Sequence, residues 1–357
     1  MDLKATVSGK ILVIGPSWVG DMVMAQSLFK ELHQLHAGLQ LDVLAPAWSR
    51  PILERMPEVS HAIDLPFAHG EFGLGKRYKL GRSLRNEQYQ QVIVLPNSFK
   101  SALVPWFAKI PRRTGWRGEQ RGPLLNDCRI LDKNRYPLMV QRFVALAYPA
   151  QAALHDPIPV PQLVSSKQSA LQAVADLGLG WTSDTSVLAL CPGAEFGDAK
   201  QWPAEHYAAV AEEYSHRGWR IALMGSAKDR GVCEQIVARL PHGLQPQCDN
   251  LAGRTSLAQV IDLLSLAKAV VSNDSGLMHI SAALHRPLVA VYGSTSADFT
   301  PPLSDQVQLL HTDISCRPCF KRQCPYGHKR CLTELLPQQV LKALDNLLGG
   351  VQLAQLL

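Results

Sequence analysis

Long apolar runs are missing from this 357-residue chain: none reaches the ~18 residues that a membrane-spanning helix needs. The N-terminal residues MDLKATVSGK also lack the continuous apolar segment of a secretory signal peptide. These absences predict a cytosolic protein whose residues 1–9 form a short N-terminal extension. Disorder is excluded by composition, because apolar residues make up 46% of the chain and charged residues only 18%.

A phosphate-binding lysine is missing from the first glycine loop, GPSWVGDM (15–22). The two glycines follow the apolar run ILVI and have the spacing of a phosphate-binding P-loop, which continues with Lys and Ser or Thr. Here Asp21 and Met22 occupy those positions. A carboxylate would repel a phosphate, so we expect any anion to be bound elsewhere and interpret Gly15 and Gly20 as leaving room for a ligand. The alternative is that Asp21 only caps a helix.

Nucleic-acid-binding motifs are also absent, although the net charge is +6. Residues 1–150 contain 20 Lys and Arg against 12 Asp and Glu, whereas the remainder contains 16 against 18. Basic residues cluster in KRYKLGRSLR (76–85) and in PRRTGWRGEQR (111–121). Each cluster is either a solvated face or a surface for an anionic partner. We expect that partner not to be nucleic acid.

Short apolar runs alternate with helical patterns in both halves, which predicts parallel sheets built from βαβ units. The chain exceeds the length that one core usually supports, so two domains are expected. Residues 155–168 hold three prolines and two serines and are the predicted linker. The predicted Rossmann-like domains are residues 10–165 and 180–335. The predicted strands lie at 10–16, 41–46, 91–98, 186–193, 220–226, 269–276 and 287–295.

Loops that follow the strands are the candidate ligand sites, because ligands bind outside the carboxyl ends of strands in such sheets. In SNDSGLMH (272–279), Asp274, Ser275 and Gly276 precede a helix whose free N–H groups attract anions, and His279 lies one turn further. In PGAEFGDAKQWP (192–203), Lys200 precedes another helix. Two such helix entrances predict a diphosphate site. The alternatives are an ordinary capped helix and a surface lysine.

Several of these segments together resemble one known family. GPSWVGD, LPNSFKSALVP, RTGWRGE, PGAEFGDAKQWP, NDSGLMH and YGSTSADFTPP occur in order over residues 10–303 and are similar to the heptosyltransferases of glycosyltransferase family 9. The resemblance implies the GT-B fold, with two Rossmann-like domains facing a central cleft. It implies that the N-terminal domain binds the acceptor and the C-terminal domain the ADP-heptose donor. It also implies that the C-terminal helix, residues 337–348, packs back on the N-terminal domain.

The resemblance further implies inverting transfer of heptose from ADP-heptose to the first heptose of the lipopolysaccharide inner core, heptosyl-Kdo2-lipid A, with release of ADP. It makes Asp21 the general base, places Lys200 at the donor diphosphate and places Asp274, Ser275, Gly276 and His279 around ADP. No cofactor is implied, and the acceptor implies transient contact with the inner face of the inner membrane. A transferase for another core heptose, or a nucleotide-sugar epimerase or phosphorylase, is the alternative.

One residue of the family pattern has no counterpart. The first-heptose enzymes carry a Glu for the nucleotide ribose after the second strand of the donor domain, where this chain has GSAKD (225–229). Asp229 is only a candidate for that role.

Eight cysteines form two groups. Cys128, Cys191, Cys233 and Cys248 are scattered and are interpreted as small buried residues. Cys316, Cys319, Cys324 and Cys331 have the spacing C-x2-C-x4-C-x6-C, with His328 between the last two. Four soft ligands in a short loop suit a structural Zn²⁺. Reduced thiols or disulfides are the alternatives, and no catalytic role is expected for this loop.

Overall fold

The computed structural model describes residues 9–67 and 70–354, and describes side chains as far as residue 349. Residues 1–8 of the predicted N-terminal extension therefore lie outside the described residues. The chain divides into two compact units, with the boundary between Gln162 and Leu163.

The first unit contains a parallel six-stranded sheet with the spatial order β3-β2-β1-β4-β5-β6. Its strands are β1 (Lys10–Ile14), β2 (Gln40–Pro46), β3 (His61–Leu65), β4 (Gln91–Val94), β5 (Arg112–Trp116) and β6 (Asp127–Arg129). Its helices are α1 (Val19–Leu35), α2 (Arg50–Leu53), α3 (Leu74–Ser83), α4 (Leu103–Phe107) and α5 (Met139–Val144). The buried side of α1 carries apolar residues at helical spacing, among them Met24, Leu28 and Leu32.

The second unit repeats this architecture with the order β12-β11-β10-β7-β8-β9. Its strands are β7 (Val187–Cys191), β8 (Arg220–Leu223), β9 (Cys248–Asn250), β10 (Ala269–Asn273), β11 (Leu288–Val291) and β12 (Val307–Leu310). Its helices are α6 (Lys167–Asp176), α7 (Ala204–His216), α8 (Arg230–Arg239), α9 (Leu257–Leu266), α10 (Gly276–Ala283), α11 (Arg330–Thr333) and α12 (Pro337–Ala354). The predicted α/β class is confirmed.

The extent to which a strand is buried explains whether it could be predicted from the sequence. All five residues of β7 and all five of β10 are buried, and such strands read as continuous apolar runs. Five strands were not predicted from the sequence: β3, β5, β6, β9 and β12. They carry polar or charged residues and lie towards the sheet edges, where one side is solvated. No helix among the described residues has the length and apolarity to cross a bilayer.

The C-terminal helix predicted for residues 337–348 is present as α12 (Pro337–Ala354). α12 packs against α7, β10, β11 and β12, all in the second unit. Val340, Ala343 and Leu344 are buried in the same core as Trp202 and Tyr207. The apolar stripe that predicted a packed helix is real, and the sheet of its own unit covers it.

Candidate functional site

In the first unit, Asp21 lies in the loop-to-helix segment that follows β1. α1 begins at Val19 and Trp18 is its N-cap residue, so Asp21 is the third helical residue rather than the cap. A carboxylate in the first turn of a helix interacts favourably with the helix dipole. The space at Gly15 is used by the protein itself, because a Cβ there would lie 2.8 Å from Met22 Cε and 3.0 Å from Ala45 Cβ. Gly15 therefore permits close packing, not ligand entry.

The loop after β4, residues 96–101, is organised by the buried guanidinium of Arg121. It donates hydrogen bonds to Pro96 O, to Asn97 Oδ1 (3.0 Å) and to Ser101 Oγ (3.1 Å). It also donates to Trp116 O at 2.7 Å, and burial lowers the pKa of Arg121 to about 10. The basic cluster 111–121 is therefore in part structural, which its sequence did not reveal.

β1 and β4 are neighbours at the point where the strand order of the first sheet reverses. Asp21 and the 96–101 loop follow these two strands. The carboxyl ends of such neighbouring strands form the usual ligand crevice of an open α/β sheet. The first unit thus presents the Asp21 carboxylate and a braced loop at its expected ligand position.

In the second unit the corresponding strands are β7 and β10. The fully buried Asn273, the last residue of β10, joins the loops around them. Its Nδ2 donates to Pro192 O at 2.7 Å, and its Oδ1 accepts from Trp202 N (3.1 Å) and Tyr207 Oη (3.0 Å). Asn273 is a positioning residue that was not among the predicted site residues. The available signal was an amide side chain at the end of an otherwise apolar strand.

Lys200 and Asp274 form a largely buried ion pair at this edge of the sheet. The ammonium Nζ lies 2.6 Å from Asp274 Oδ2, and the two side chains are only 13% and 4% exposed. Thr295 Oγ1 donates to the same carboxylate oxygen at 2.6 Å, and the ammonium lies 5.0 Å from the centre of the Phe196 ring. Lys200 is thus held in place rather than projecting into solvent. Thr295, which follows β11, was not predicted as a site residue.

His279 lies on the buried side of α10, close enough to Lys200 and Asp274 for their charges to act on it. Burial lowers the pKa of His279 to about 4; the Asp274 carboxylate opposes this shift and the Lys200 ammonium adds to it. The imidazole is therefore neutral near pH 7 in the ligand-free protein.

Ser275 and Gly276 form the start of α10. Ser275 occupies the N-cap position but makes no side-chain cap hydrogen bond, and its Oγ lies 3.2 Å from Ser272 Oγ. Gly276 is the first helical residue, so the backbone N–H groups that follow lack partners within the helix. These groups and the Lys200 ammonium make the carboxyl ends of β7 and β10 suited to binding an anion.

Asp229 is engaged locally. Its Oδ2 accepts hydrogen bonds from Ser226 N and Ser226 Oγ, both at 2.8 Å, as a helix cap. A Cβ on Gly193 would lie 2.4 Å from the Asp229 carboxylate, so this carboxylate contacts the loop after β7.

The cysteine loop, residues 316–331, braces the segment that carries Lys200. Ala199 N donates to Arg322 O at 3.1 Å, and Lys329 forms an ion pair with Asp198 at 2.7 Å. A Cβ on Gly197 would lie 2.2 Å from Arg322 O, so only glycine permits this approach. The cysteine loop therefore contributes to the geometry around Lys200 through its residues Arg322 and Lys329.

The eight cysteines are free thiols. Cys316, Cys319, Cys324 and Cys331 line one pocket together with His328. Within the described residues, no three His, Cys, Asp or Glu side chains are grouped closely enough to hold a metal ion. The structure thus joins none of these cysteines in a disulfide.

Comparison with known proteins gives concordant matches. Residues 77–330 match the model of glycosyltransferase family 9 (heptosyltransferase). A lipopolysaccharide heptosyltransferase 2 of Salmonella typhimurium is 49% identical over 345 residues, covering 95% of this chain and 99% of that protein. A lipooligosaccharide heptosyltransferase 2 of Haemophilus ducreyi is 49% identical over 348 residues with the same coverage. The solved E. coli ADP-heptose lps heptosyltransferase II matches with a TM-score of 0.87 and 47% identity, covering 96% of this chain and 99% of that one.

Proposed function

The chain belongs to glycosyltransferase family 9 (heptosyltransferase), and we propose that it transfers heptose from ADP-heptose to the first heptose of heptosyl-Kdo2-lipid A. The observation that carries the substrate assignment is the 49% identity to a lipopolysaccharide heptosyltransferase 2 over nearly the full length of both chains. The same identity favours transfer over the epimerase and phosphorylase alternatives.

We propose that the second unit binds the ADP diphosphate. An ammonium has three donor hydrogens, and Lys200 directs two of them to Asp274, one to Oδ2 at 2.6 Å and one to the backbone O at 3.4 Å. The remaining donor of Lys200, with the N–H groups that begin at Gly276, supplies positive charge for the phosphate oxygens. In this proposal Asp274 orients Lys200, Ser275 and neutral His279 line the ADP site, and the leaving diphosphate is stabilised as negative charge develops on it.

We propose that Asp21 is the general base. Inverting transfer is one displacement: an acceptor hydroxyl oxygen bonds to the anomeric carbon while the bond to the ADP oxygen breaks. The hydroxyl proton must leave, and the Asp21 carboxylate would accept it. The position of Asp21 beyond β1, at the strand-order reversal, supports this role.

Three further parts of the proposal concern location and metals. The acceptor is a membrane amphiphile, so we place the enzyme in the cytosol with transient contact at the inner face of the inner membrane. No cofactor takes part in the transfer. A structural Zn²⁺ at Cys316, Cys319, Cys324 and Cys331 is supported by their common pocket, although it would require the thiols to move together. Elemental analysis of purified protein tests it.

The deciding experiment is a mass-spectrometric assay with ADP-heptose and two acceptors, one ending in Kdo and one already carrying a heptose. Product from the second acceptor alone is expected. Asp21→Asn should lower kcat by roughly 10²–10⁴-fold, with ADP affinity by calorimetry unchanged.

The matched control is Asp184→Asn, an exposed carboxylate in the loop before β7. It should leave turnover intact. Wild-type turnover by Asp21→Asn would overturn the base assignment, and product from the Kdo-terminated acceptor would overturn the acceptor assignment.

A further inference from the structure

Exposed aromatic and basic side chains are interleaved on one face of the first unit. Four large apolar side chains there are about half exposed: Phe72 52%, Leu74 49%, Tyr78 43% and Trp106 45%. Burial normally removes such side chains from water, so a group of them indicates an interaction site. The aromatic–basic surface is defined here as Phe72, Leu74, Tyr78, Lys79, Arg82 and Trp106.

α3 is built with two different sides. Arg77 and Gly81 face the protein: the Arg77 guanidinium is buried and donates to Phe72 O and Lys100 O. Leu74, Tyr78 and Arg82 recur every four residues on the exposed side. The basic cluster 76–85 is therefore split, because Arg77 stabilises the fold while Lys79 and Arg82 remain at the surface.

α4 extends this surface. A Cβ on Gly81 would lie 2.5 Å from Phe107 Cβ, so α3 and α4 are in direct contact. The Phe107 ring packs edge-on against Tyr78, with 5.3 Å between centroids, and lies tilted against Trp106 at 5.0 Å. Tyr78 and Trp106 are therefore joined through Phe107 into one apolar strip.

The charge of the surface has one sign. The sequence from Phe72 to Asn86 contains no Asp or Glu. In the part of the chain that the structure describes, neither Lys79 nor Arg82 forms an ion pair with a carboxylate. Arg82 instead donates to Tyr78 Oη at 3.3 Å, with its guanidinium 5.8 Å from that ring. Lys76 differs, since it pairs with Glu71 at 2.7 Å.

We propose that the aromatic–basic surface docks on the headgroup region of an anionic lipid bilayer, an inference that rests on the proposed function because its acceptor is a membrane lipid. Aromatic rings with a polar edge suit the membrane–water interface, and unpaired basic side chains suit a negatively charged leaflet.

The test is flotation of the full chain with vesicles of phosphatidylcholine, with and without phosphatidylglycerol, at low and high salt. Binding should require phosphatidylglycerol and weaken with salt. Lys79→Gln with Arg82→Gln should weaken binding by about 25-fold, since each basic charge contributes about five-fold. Trp106→Ser should also weaken it, and brominated lipid should quench tryptophan fluorescence less in that variant.

The matched control is Lys167→Gln with Arg239→Gln, which removes the same charge from exposed positions of the second unit. Its binding should match wild type. Binding that is unchanged in the Lys79 and Arg82 variant, equally weakened in the control, or independent of phosphatidylglycerol would overturn the proposal.

A second assay separates this proposal from the proposed function. With an acceptor stripped of its acyl chains, the Lys79 and Arg82 variant should turn over like wild type, and it should slow only on vesicle-embedded acceptor. If the Lys79 and Arg82 variant turns over vesicle-embedded acceptor as fast as wild type, the docking surface is overturned and the proposed function is not. Charge-dependent vesicle binding with no turnover of either acceptor would overturn the proposed function and support the surface.

Discussion

The buried imidazole of His279 should make the stability of the protein depend on pH in a defined way. Burial lowers its pKa in the folded state to about 4, against 6.5 for the ordinary side chain. Between pH 4 and pH 6.5 this imidazole therefore binds a proton in the unfolded chain but not in the folded chain. Stability from this group is fully present above pH 6.5 and is lost as pH falls towards 4. The loss relative to pH 7.5 is about 2 kcal/mol at pH 5 and about 3 kcal/mol below pH 4.

The assay is urea unfolding at pH 7.5, 6 and 5, followed by circular dichroism and tryptophan fluorescence. His279→Leu removes the titrating group, so its free energy of unfolding should fall between pH 7.5 and pH 5 by about 2 kcal/mol less than that of wild type. Other titrating groups cancel in this comparison. His279→Gln should show the same flatter dependence, which separates titration from loss of packing. An equal acid-induced loss in wild type and both variants would refute the reasoning.

Two further substitutions test the loops around the sites. Gly197→Ala places a Cβ 2.2 Å from Arg322 O, so it should separate the cysteine loop from the Lys200 segment. ADP binding measured by calorimetry should weaken at least ten-fold. The control is Gly231→Ala, whose Cβ would meet nothing within 4 Å and which should leave ADP affinity unchanged. Unchanged ADP affinity in Gly197→Ala would contradict the bracing role. Arg121→Met leaves Pro96 O, Asn97 Oδ1 and Trp116 O without their buried donor and should cost about 3 kcal/mol or more in urea unfolding. Arg121→Lys should fall between Arg121→Met and wild type, because an ammonium lacks the planar fork.

Much of the fold could be predicted because its central strands are buried on both faces. β1, β7 and β10 appear in the sequence as apolar runs ended by turn residues, and each was located within a few residues. The edge strands β6 and β9 could not be found, because three-residue strands with polar side chains carry no periodic signal. Basic clusters were equally ambiguous: charge alone did not separate buried Arg77 and Arg121 from exposed Lys79 and Arg82.

The candidate site was predicted as a set of residues and not as an arrangement. The positions of Lys200 and Asp274 after strands pointed to an anion site, but their mutual ion pair joins residues 74 positions apart. Asn273 and Thr295 also bond to residues distant in sequence. The Asn273 amide forms hydrogen bonds with two other segments, and Thr295 donates to Asp274. Such contacts depend on the sheet order, which places β7 beside β10.

Residue order is sufficient to predict two α/β halves, the loops that carry Asp21 and Lys200, and the resemblance to heptosyltransferases, because local apolar periodicity and short motifs are properties of neighbouring residues. Tertiary structure alone decided that α12 completes the second unit and that Gly15 makes room for Met22. It also decided that His279 is neutral and that α3 and α4 share one surface. Each of these depends on burial or on contact between distant segments, and both exist only once the sheets have formed.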